Sequence, residues 1–557
     1  MTWLENIIFT INESALKRYI VIVMTLVSLV LSIMMLPAEM VLARMLPGKS
    51  TNTYSIYVDA PTGSSIEETK QVTGCVVDIL KQEQEVTNVE IFLGQGSPLD
   101  YAGLVKGSSL KQGENVAEIV VNLTDKHTRS EASFSMVKRL RPEIQSRCQA
   151  IKDGTNIKMI EQPAGPPTLA SIVLEVYGSD EASIRAMATK VAEIFKTTKG
   201  LVDVDIMADE IYQKFELTAD AEKISRSGVS LEQLNNILYL AFEGMEIAVK
   251  NSQNSPDQIP LFLVLSDTSK QMSAFSKRAL EAKISALRLM NKKGMMVPVN
   301  ELVNVVEVTS TPSIFSKDLR KMLNVIAETD MVSQLYPLLD ARNTMIERFS
   351  EQYEVKKVDG MSTYMFDLYL TDKTNGDKFL LRWDGEMKVS LDTFRDLGGA
   401  FIAALILIFL LLVIYYKSFA ISGIVLGGSF LSIIGVLIGH WIANLFTADT
   451  FFLTATSLIG FIALMGISSR NSLLLIDFTK SLIKEKGFEK NRAIAVATAT
   501  RAKPILLTAV AIILGSALLA TDPIFGGLGV ALISGTVAAV VISLLFVPVL
   551  MCKTRAI

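Results

Sequence analysis

Three cysteines in 557 residues, Cys75, Cys148 and Cys552, exclude both a disulfide-stapled scaffold and a four-cysteine zinc site. Charge is scarce too. Only 20% of the residues are charged, and a net charge of −3 leaves no positive surplus with which to attract a nucleic acid. No Gly-rich run is followed by Lys-Ser or Lys-Thr in a strand–turn–helix setting, so a phosphate loop is excluded. Gly526-Gly527-Leu528-Gly529 and Gly535 read instead as surfaces where helices pack closely. What the sequence has in excess is apolar residues: they make up half of it, and the mean hydropathy is +0.38. A soluble chain could bury so much apolar surface only in several domains, but here it is gathered into stretches. Leu397–Tyr416 is 20 residues without a charge, and a bilayer takes about 20 residues to cross. A cytosolic enzyme is ruled out.

Six spans are expected: Tyr19–Leu36, Leu397–Tyr416, Ser418–Phe446, Thr450–Phe478, Pro504–Thr521 and Pro523–Met551. The first is not a cleaved signal peptide, because Glu5 and Glu13 precede it and Pro37-Ala38-Glu39 is a poor cleavage site. Lys17-Arg18, Lys417, the run Lys480 to Lys503, and Lys553 with Arg555 all fall on one side. The opposite loops, Thr447-Ala448-Asp449 and Thr521-Asp522-Pro523, carry no Lys or Arg. Basic loops stay cytoplasmic, so both termini are expected in the cytoplasm. Residues 37–396 are then on the far side, the periplasm of a Gram-negative bacterium.

The exported region alternates strands and helices. Tyr54–Asp59 is β-rich, and Ser64-Ser65-Ile66-Glu67-Glu68-Thr69 opens a helix with hydroxyls to cap it and acids in its first turn. Val86–Leu93 and Ala117–Leu123 read as strands around a polar loop, Ser130–Ala150 as a helix, and Asn156–Ile160 as a strand. The order β-α-β-β-α-β is that of a ferredoxin-like split unit. Glu161 to Pro167 breaks the pattern. A second copy starts with strand Ser171–Tyr177, helix Glu181–Thr197 and strand Val202–Ile206. A smaller module interrupts it from Tyr212, with helical Ala219–Ser225 and Ser230–Leu240 and strands Leu261–Leu265 and Met295–Val299. The copy resumes near Val305 and ends with strands, a helix Met331–Gln352 and Lys356–Asp359.

This layout resembles the C-terminal half of resistance–nodulation–division (RND) efflux permeases of the acriflavine-resistance type. Pro163-Ala164-Gly165-Pro166-Pro167 resembles the join between the family's porter subdomains, and Gly294 to Val299 its docking hairpin. Tyr415 to Phe419, Lys503 to Thr508 and Phe546 to Val549 agree as well. The most specific run is Gly466-Ile467-Ser468-Ser469-Arg470-Asn471-Ser472-Leu473-Leu474-Leu475-Ile476-Asp477-Phe478. The resemblance implies an α+β membrane protein, with six transmembrane helices and two ferredoxin-like porter units carrying a docking insertion. The implied divisions are 1–36 (first span), 37–167 (first porter subdomain), 168–208 and 305–396 (the two parts of the second), 209–304 (docking insertion) and 397–557 (five spans). It further implies proton-driven export of small apolar or amphiphilic compounds from the bacterial inner membrane, in a trimer-type assembly with a periplasmic adaptor and an outer-membrane channel. No catalytic residue, cofactor, metal or nucleic-acid partner is implied, and the energy source is the proton gradient.

Full members have twelve spans in two halves, and the missing half carries a paired intramembrane Asp-Asp. No span here contains such a pair. A complementary half or self-association is therefore expected, the chain being a split subunit, a fragment of a disrupted gene or a homo-oligomer. An export accessory of SecD/SecF type and an ABC-type mechanotransmitting permease share the outline of one span, a large external domain and further spans.

Arg470 is the leading site candidate, because an ionised group inside a span costs several kcal/mol unless paired, and it follows 20 uncharged residues. The resemblance makes it the counter-ion of the absent aspartates; snorkelling to the interface is the bland alternative. Thr508 and Arg501, two helical turns apart, match the family's proton relay and cytoplasmic exit, against a helix-backbone hydrogen bond and the positive-inside rule. Asn471 and Asp477 complete the set, with structural roles favoured. His440 reads as structural or as a lipid-headgroup contact. The 23 methionines suggest thioether metal export less than core packing, since Val58 stands where copper exporters tend to place Met. Cys75 and Cys148 fall on neighbouring helices and are either bridged or buried free thiols.

Overall fold

The structure, a computed structural model, describes all residues except 1–2, 99–100, 163–164, 166, 254–257, 271, 273–274, 331–332, 359–363, 448–449 and 556–557. Pro163, Ala164 and Pro166 of the subdomain join, Met331 at the expected helix start, Asp359 and the Ala448-Asp449 loop therefore lie outside the described residues. The chain divides into two units, Ala208–Ser313 and the remainder.

In the larger unit, the first subdomain is a sheet of β1 (Thr53–Asp59), β2 (Val86–Gln95), β3 (Gln112–Leu123) and β4 (Asn156–Glu161). The strands run antiparallel in the order β2-β3-β1-β4. Helices Ile66–Leu80 and Ser133–Cys148 cover one face. The first helix starts where a capping box forms: Ser65 Oγ accepts from the Glu68 N–H at 3.3 Å, and Glu68 accepts from the Ser65 N–H at 2.9 Å. Val72, Val76, Met136, Leu140 and Ile144 pack on Ile56, Val58, Ile119 and Ile157. The polar stretch before β3 is not all loop: it contains a short helix, Tyr101–Lys106, and the first residues of β3.

The second subdomain begins with β5 (Ile172–Tyr177), a helix Glu181–Thr197 capped by Asp180, and β6 (Leu201–Met207). All six residues of β5 are buried, as befits a central strand.

The smaller unit follows in the chain. Its β7 (Gln213–Ala219) pairs antiparallel with β12 (Val303–Thr309). Between them lie the hairpins β8 (Met245–Lys250) with β9 (Ile259–Leu263) and β10 (Arg288–Met290) with β11 (Met296–Pro298). Ile224, Leu234, Leu280, Ile284, Val299 and Leu302 form its core. The β8–β9 hairpin contributes nothing to that core. Ile247, Val249, Leu261 and Phe262 are 59, 47, 47 and 59% exposed, and they make the arm apolar on both of its faces. Asn254–Asp257, part of the polar segment between the strands, lie outside the described residues.

Back in the larger unit come β13 (Ser316–Lys317), β14 (Arg320–Thr329), β15 (Tyr353–Lys357), β16 (Leu368–Asp372) and β17 (Lys378–Asp384). The sheet order is β13-β14-β5-β17-β16-β15, with β6 also on β14. The expected resumption near Val305 is thus corrected. Val305 lies in β12 and pairs with Leu217 of the inserted unit, so the second sheet resumes only at Ser316. Alternation in Val303–Thr309 marks a strand but not its partner, which is why the sequence misplaced the boundary.

Six helices among the described residues are long and apolar enough to cross a membrane: Ala15–Met34, Glu386–Tyr416, Phe419–Phe446, Ala455–Lys486, Lys490–Thr521 and Gly526–Lys553, taken below as spans one to six. Spans three, four and six are mostly buried against one another, whereas one, two and five leave most of their surface uncovered. The close approach needs glycine. A Cβ on Gly439 of span three would lie 2.1 Å from Ser534 Oγ, and one on Gly535 of span six 2.1 Å from Leu464. Span three is interrupted at Leu431-Ser432, and span six takes one π turn, Ile542–Phe546, ahead of Pro548, which has no N–H to give the helix.

Cys75 and Cys148 are bridged, joining the two helices of the first subdomain. The bridge closes a loop of 73 residues, which by chain entropy contributes up to about 4 kcal/mol. Cys75→Ser, or reduction of the wild type, should lower the thermal unfolding temperature of this subdomain and slow its mobility on a denaturing gel. A protein indifferent to reductant in both assays would show that the thiols are free.

Candidate functional site

Span four carries Arg470, Asn471 and Asp477, and span five carries Arg501 and Thr508. A capping box fixes the start of span four: the Ser457 N–H donates to Thr454 Oγ1 at 3.3 Å, and the Thr454 N–H donates to Ser457 Oγ at 3.1 Å. From there a regular helix places Ala463, Gly466, Arg470, Leu474 and Asp477 on one exposed stripe. Leu464, Ser468, Asn471, Ser472, Leu475 and Thr479 face the bundle interior. Arg470 therefore points away from its own bundle. Among the described residues it has no ion pair and no hydrogen bond. Gly466, one turn before it, leaves open space beside it.

The other candidates do not converge on Arg470. Thr508 Oγ1 donates to the Pro504 carbonyl at 2.9 Å, the ordinary helix-backbone bond. The Arg501 guanidinium lies 4.7 Å from the centre of the Phe478 ring, with its Nε buried and unsatisfied. Asp477 accepts from Tyr416 Oη at 2.8 Å, while Lys480 stacks over the same ring at 4.8 Å, an arrangement typical of an interface belt. Asn471 is 5% exposed and makes no hydrogen bond across the helices among the described residues.

His440 is fully buried, which excludes a lipid headgroup contact. Its Nδ1 lies 2.8 Å from the Val436 carbonyl and so carries the proton; Nε2 then accepts from Ser457 Oγ at 2.8 Å. The ring ties span three to the start of span four. Sequence reasoning missed the hydroxyls further along the bundle: Ser429 and Ser469 bond at 3.0 Å, while the buried hydroxyls of Ser468, Ser472, Thr536 and Ser543 have no partner among the described residues. The Ser468-Ser469 pair flanking Arg470 was the available signal.

Above the membrane segments, β5, β14 and β17 border a cavity of about 480 Å³. Its wall mixes Leu169, Val173, Phe315 and Met322 with Glu175 and Lys317. Lys317 bridges Glu175 and Asp384. Burial alone would pull its pKa down, but the two carboxylates outweigh that and raise it.

The sequence matches the model of the AcrB/AcrD/AcrF family over residues 7–349 and 375–555. The chain belongs to this RND family. Swarming motility protein SwrC of Bacillus subtilis (strain 168) is 24% identical over 564 aligned residues, which cover 97% of this chain and 46% of SwrC. Two crystal forms of a heavy metal efflux pump superpose with TM-scores of 0.69 and 0.70 at 18% and 17% identity, each covering 99% of this chain and 52% of the pump. The RND fold is thereby shared, and the chain spans about half the length of these relatives.

Proposed function

We propose that this chain forms one six-span body of a proton-driven inner-membrane RND exporter, and that a second six-span body carrying an intramembrane carboxylate pair covers the stripe around Arg470. The observation that carries this reading is Arg470 itself. It is a permanent cation on the exposed face of an apolar helix, beside a glycine that lets another helix approach. A fixed positive charge there would hold the partner carboxylates at a low pKa and release them when they protonate. Of the other candidates on spans four and five, Asn471, Asp477, Arg501 and Thr508, none contacts the Arg470 side chain, so the relay rests on Arg470 and the second body. No observation favours the export-accessory or mechanotransmitter readings.

The two exported sheets, read as ferredoxin-like porter units, would form the substrate path. A cavity of about 480 Å³ with apolar and charged walls suits a small amphiphile. The solved relatives are heavy metal pumps, so metal export is the second reading. Dye and detergent resistance without metal resistance, in cells supplying the partner body, is the outcome expected here; resistance to metals alone would reverse the assignment. Expressed without a partner body, the chain should confer neither.

Arg470→Ala should abolish transport and leave membrane insertion intact, with Arg470→Lys retaining part of the activity. A wild-type efflux rate in the Ala variant would remove Arg470 from the mechanism.

The β8–β9 arm would pack on a neighbouring protomer of a trimer, since an isolated hairpin with two apolar faces is marginal in water, and its unit would meet the adaptor and outer-membrane channel. Ile247→Asp with Phe262→Asp should dissociate the oligomer on native electrophoresis in detergent while the protomer stays folded. An unchanged oligomer would count against the arm.

A further inference from the structure

A second cavity, of about 90 Å³, lies beneath β4 in the larger unit. Its walls bring together charges from distant parts of the chain. Lys106, from the short helix before β3, pairs with Glu328 of β14 at 2.8 Å. Arg141, from the helix Ser133–Cys148, pairs with Asp330, just after β14, at 2.9 Å and with Asp203 of β6 at 3.3 Å. Glu328 also accepts from the Ser171 N–H at 3.1 Å. Lys49, in the connection before β1, completes the positive groups. Two groups on the wall are not matched in this way. The carboxylate of Glu161, the last residue of β4, has no hydrogen bond or ion pair among the described residues. Arg44 reaches Glu386, at the start of span two, only at 4.0 Å, and its buried Nε has no acceptor.

Arg44 sits at a junction. Its N–H donates to the Leu453 carbonyl at 3.1 Å, the Leu453 N–H donates to the Leu42 carbonyl at 2.8 Å, and the Ala455 N–H donates to the Met45 carbonyl at 3.1 Å. These bonds fasten the connection between span one and β1 to the start of span four. The Arg44 guanidinium itself lies 5.8 Å from the Phe452 ring. A pull on Arg44 therefore acts where span four meets the exported region.

We propose that Glu161 is a proton-binding site, and that loss of its proton draws the Arg44 guanidinium onto it across the cavity, latching residues 42–46 to the first exported subdomain. This goes beyond the transport reading and does not depend on a partner body or a substrate. The neighbouring charges agree. Burial pushes the Glu161 pKa up to about 7, with Glu328 and Asp330 adding to the rise and Arg141 and Arg44 opposing it. A folded-state pKa above the ordinary 4.5 means that the folded chain holds this proton more tightly than the unfolded one. The associated stability is complete below pH 4.5 and is lost as the pH rises toward 7. Pairing with Arg44 is the response that ionisation calls for.

Hydrogen exchange of residues 42–46 and 453–455, measured on the full chain in nanodiscs from pH 5.5 to 8.5 and corrected for intrinsic rates, tests this. Protection of residues 42–46 should rise about tenfold across the range, with a midpoint near 7. Glu161→Gln should be flat at the low-pH level. Should that variant misfold, Arg44→Gln keeps the carboxyl and should be flat as well. A flat wild-type profile, or an Arg44→Gln variant that titrates like the wild type (Lys49 or Arg141 then being the partner), would overturn the latch.

Discussion

A charge in hydrocarbon costs several kcal/mol unless it is paired, and the Arg470 side chain has no ion pair or hydrogen bond among the described residues. Arg470 lies on a helix whose opposite face packs closely on span six, where a Cβ on Gly535 would lie 2.1 Å from Leu464 and one on Gly460 2.9 Å from Leu528. That face is finished; the Arg470 face is not. Snorkelling would need a short path to the headgroups, yet Leu473-Leu474-Leu475-Ile476 intervene before Asp477 and its Tyr416 contact. The economical resolution is a second helical body supplying the opposite charge. The uncovered surfaces of spans one, two and five leave room for lipid and protein alike.

The region between spans one and two answers the same constraint differently. There, buried charges are paired, as in Lys106–Glu328, Arg141–Asp203 and Lys317–Glu175. Removing one partner of such a pair costs more than the pair contributes, so these networks hold the sheets in register. The Glu161 carboxylate has no such partner among the described residues, Arg44 has only the 4.0 Å contact with Glu386, and both line the cavity beside the connection to span four.

The spans, the strand–helix order of the first subdomain and a hydroxyl-capped helix start within Ser64–Thr69 were legible because length, period and cap chemistry are local properties. The end of the insertion was not, because Val303–Thr309 alternates as a strand of either sheet would. The β8 strand was missed as well: its apolar residues are exposed, and an arm that buries nothing in its own module gives no core-facing period. In the candidate site, Arg470 stood out as a charge in an apolar run. The Arg44–Glu161 cavity did not, since its residues come from six separated segments and only the fold brings them together. The bridging of Cys75 to Cys148 was similarly open until two helices were placed side by side.

The account turns on what covers the stripe of Ala463, Gly466, Arg470, Leu474 and Asp477. A photoreactive amino acid at Ala463 or Leu474, activated in the native membrane with the chain in its normal assembly, reads this directly. The account predicts cross-links to a second six-span body, with none from the control position Leu407 on span two. Lipid adducts alone from Ala463 and Leu474 would contradict it, because Arg470 would then face the bilayer.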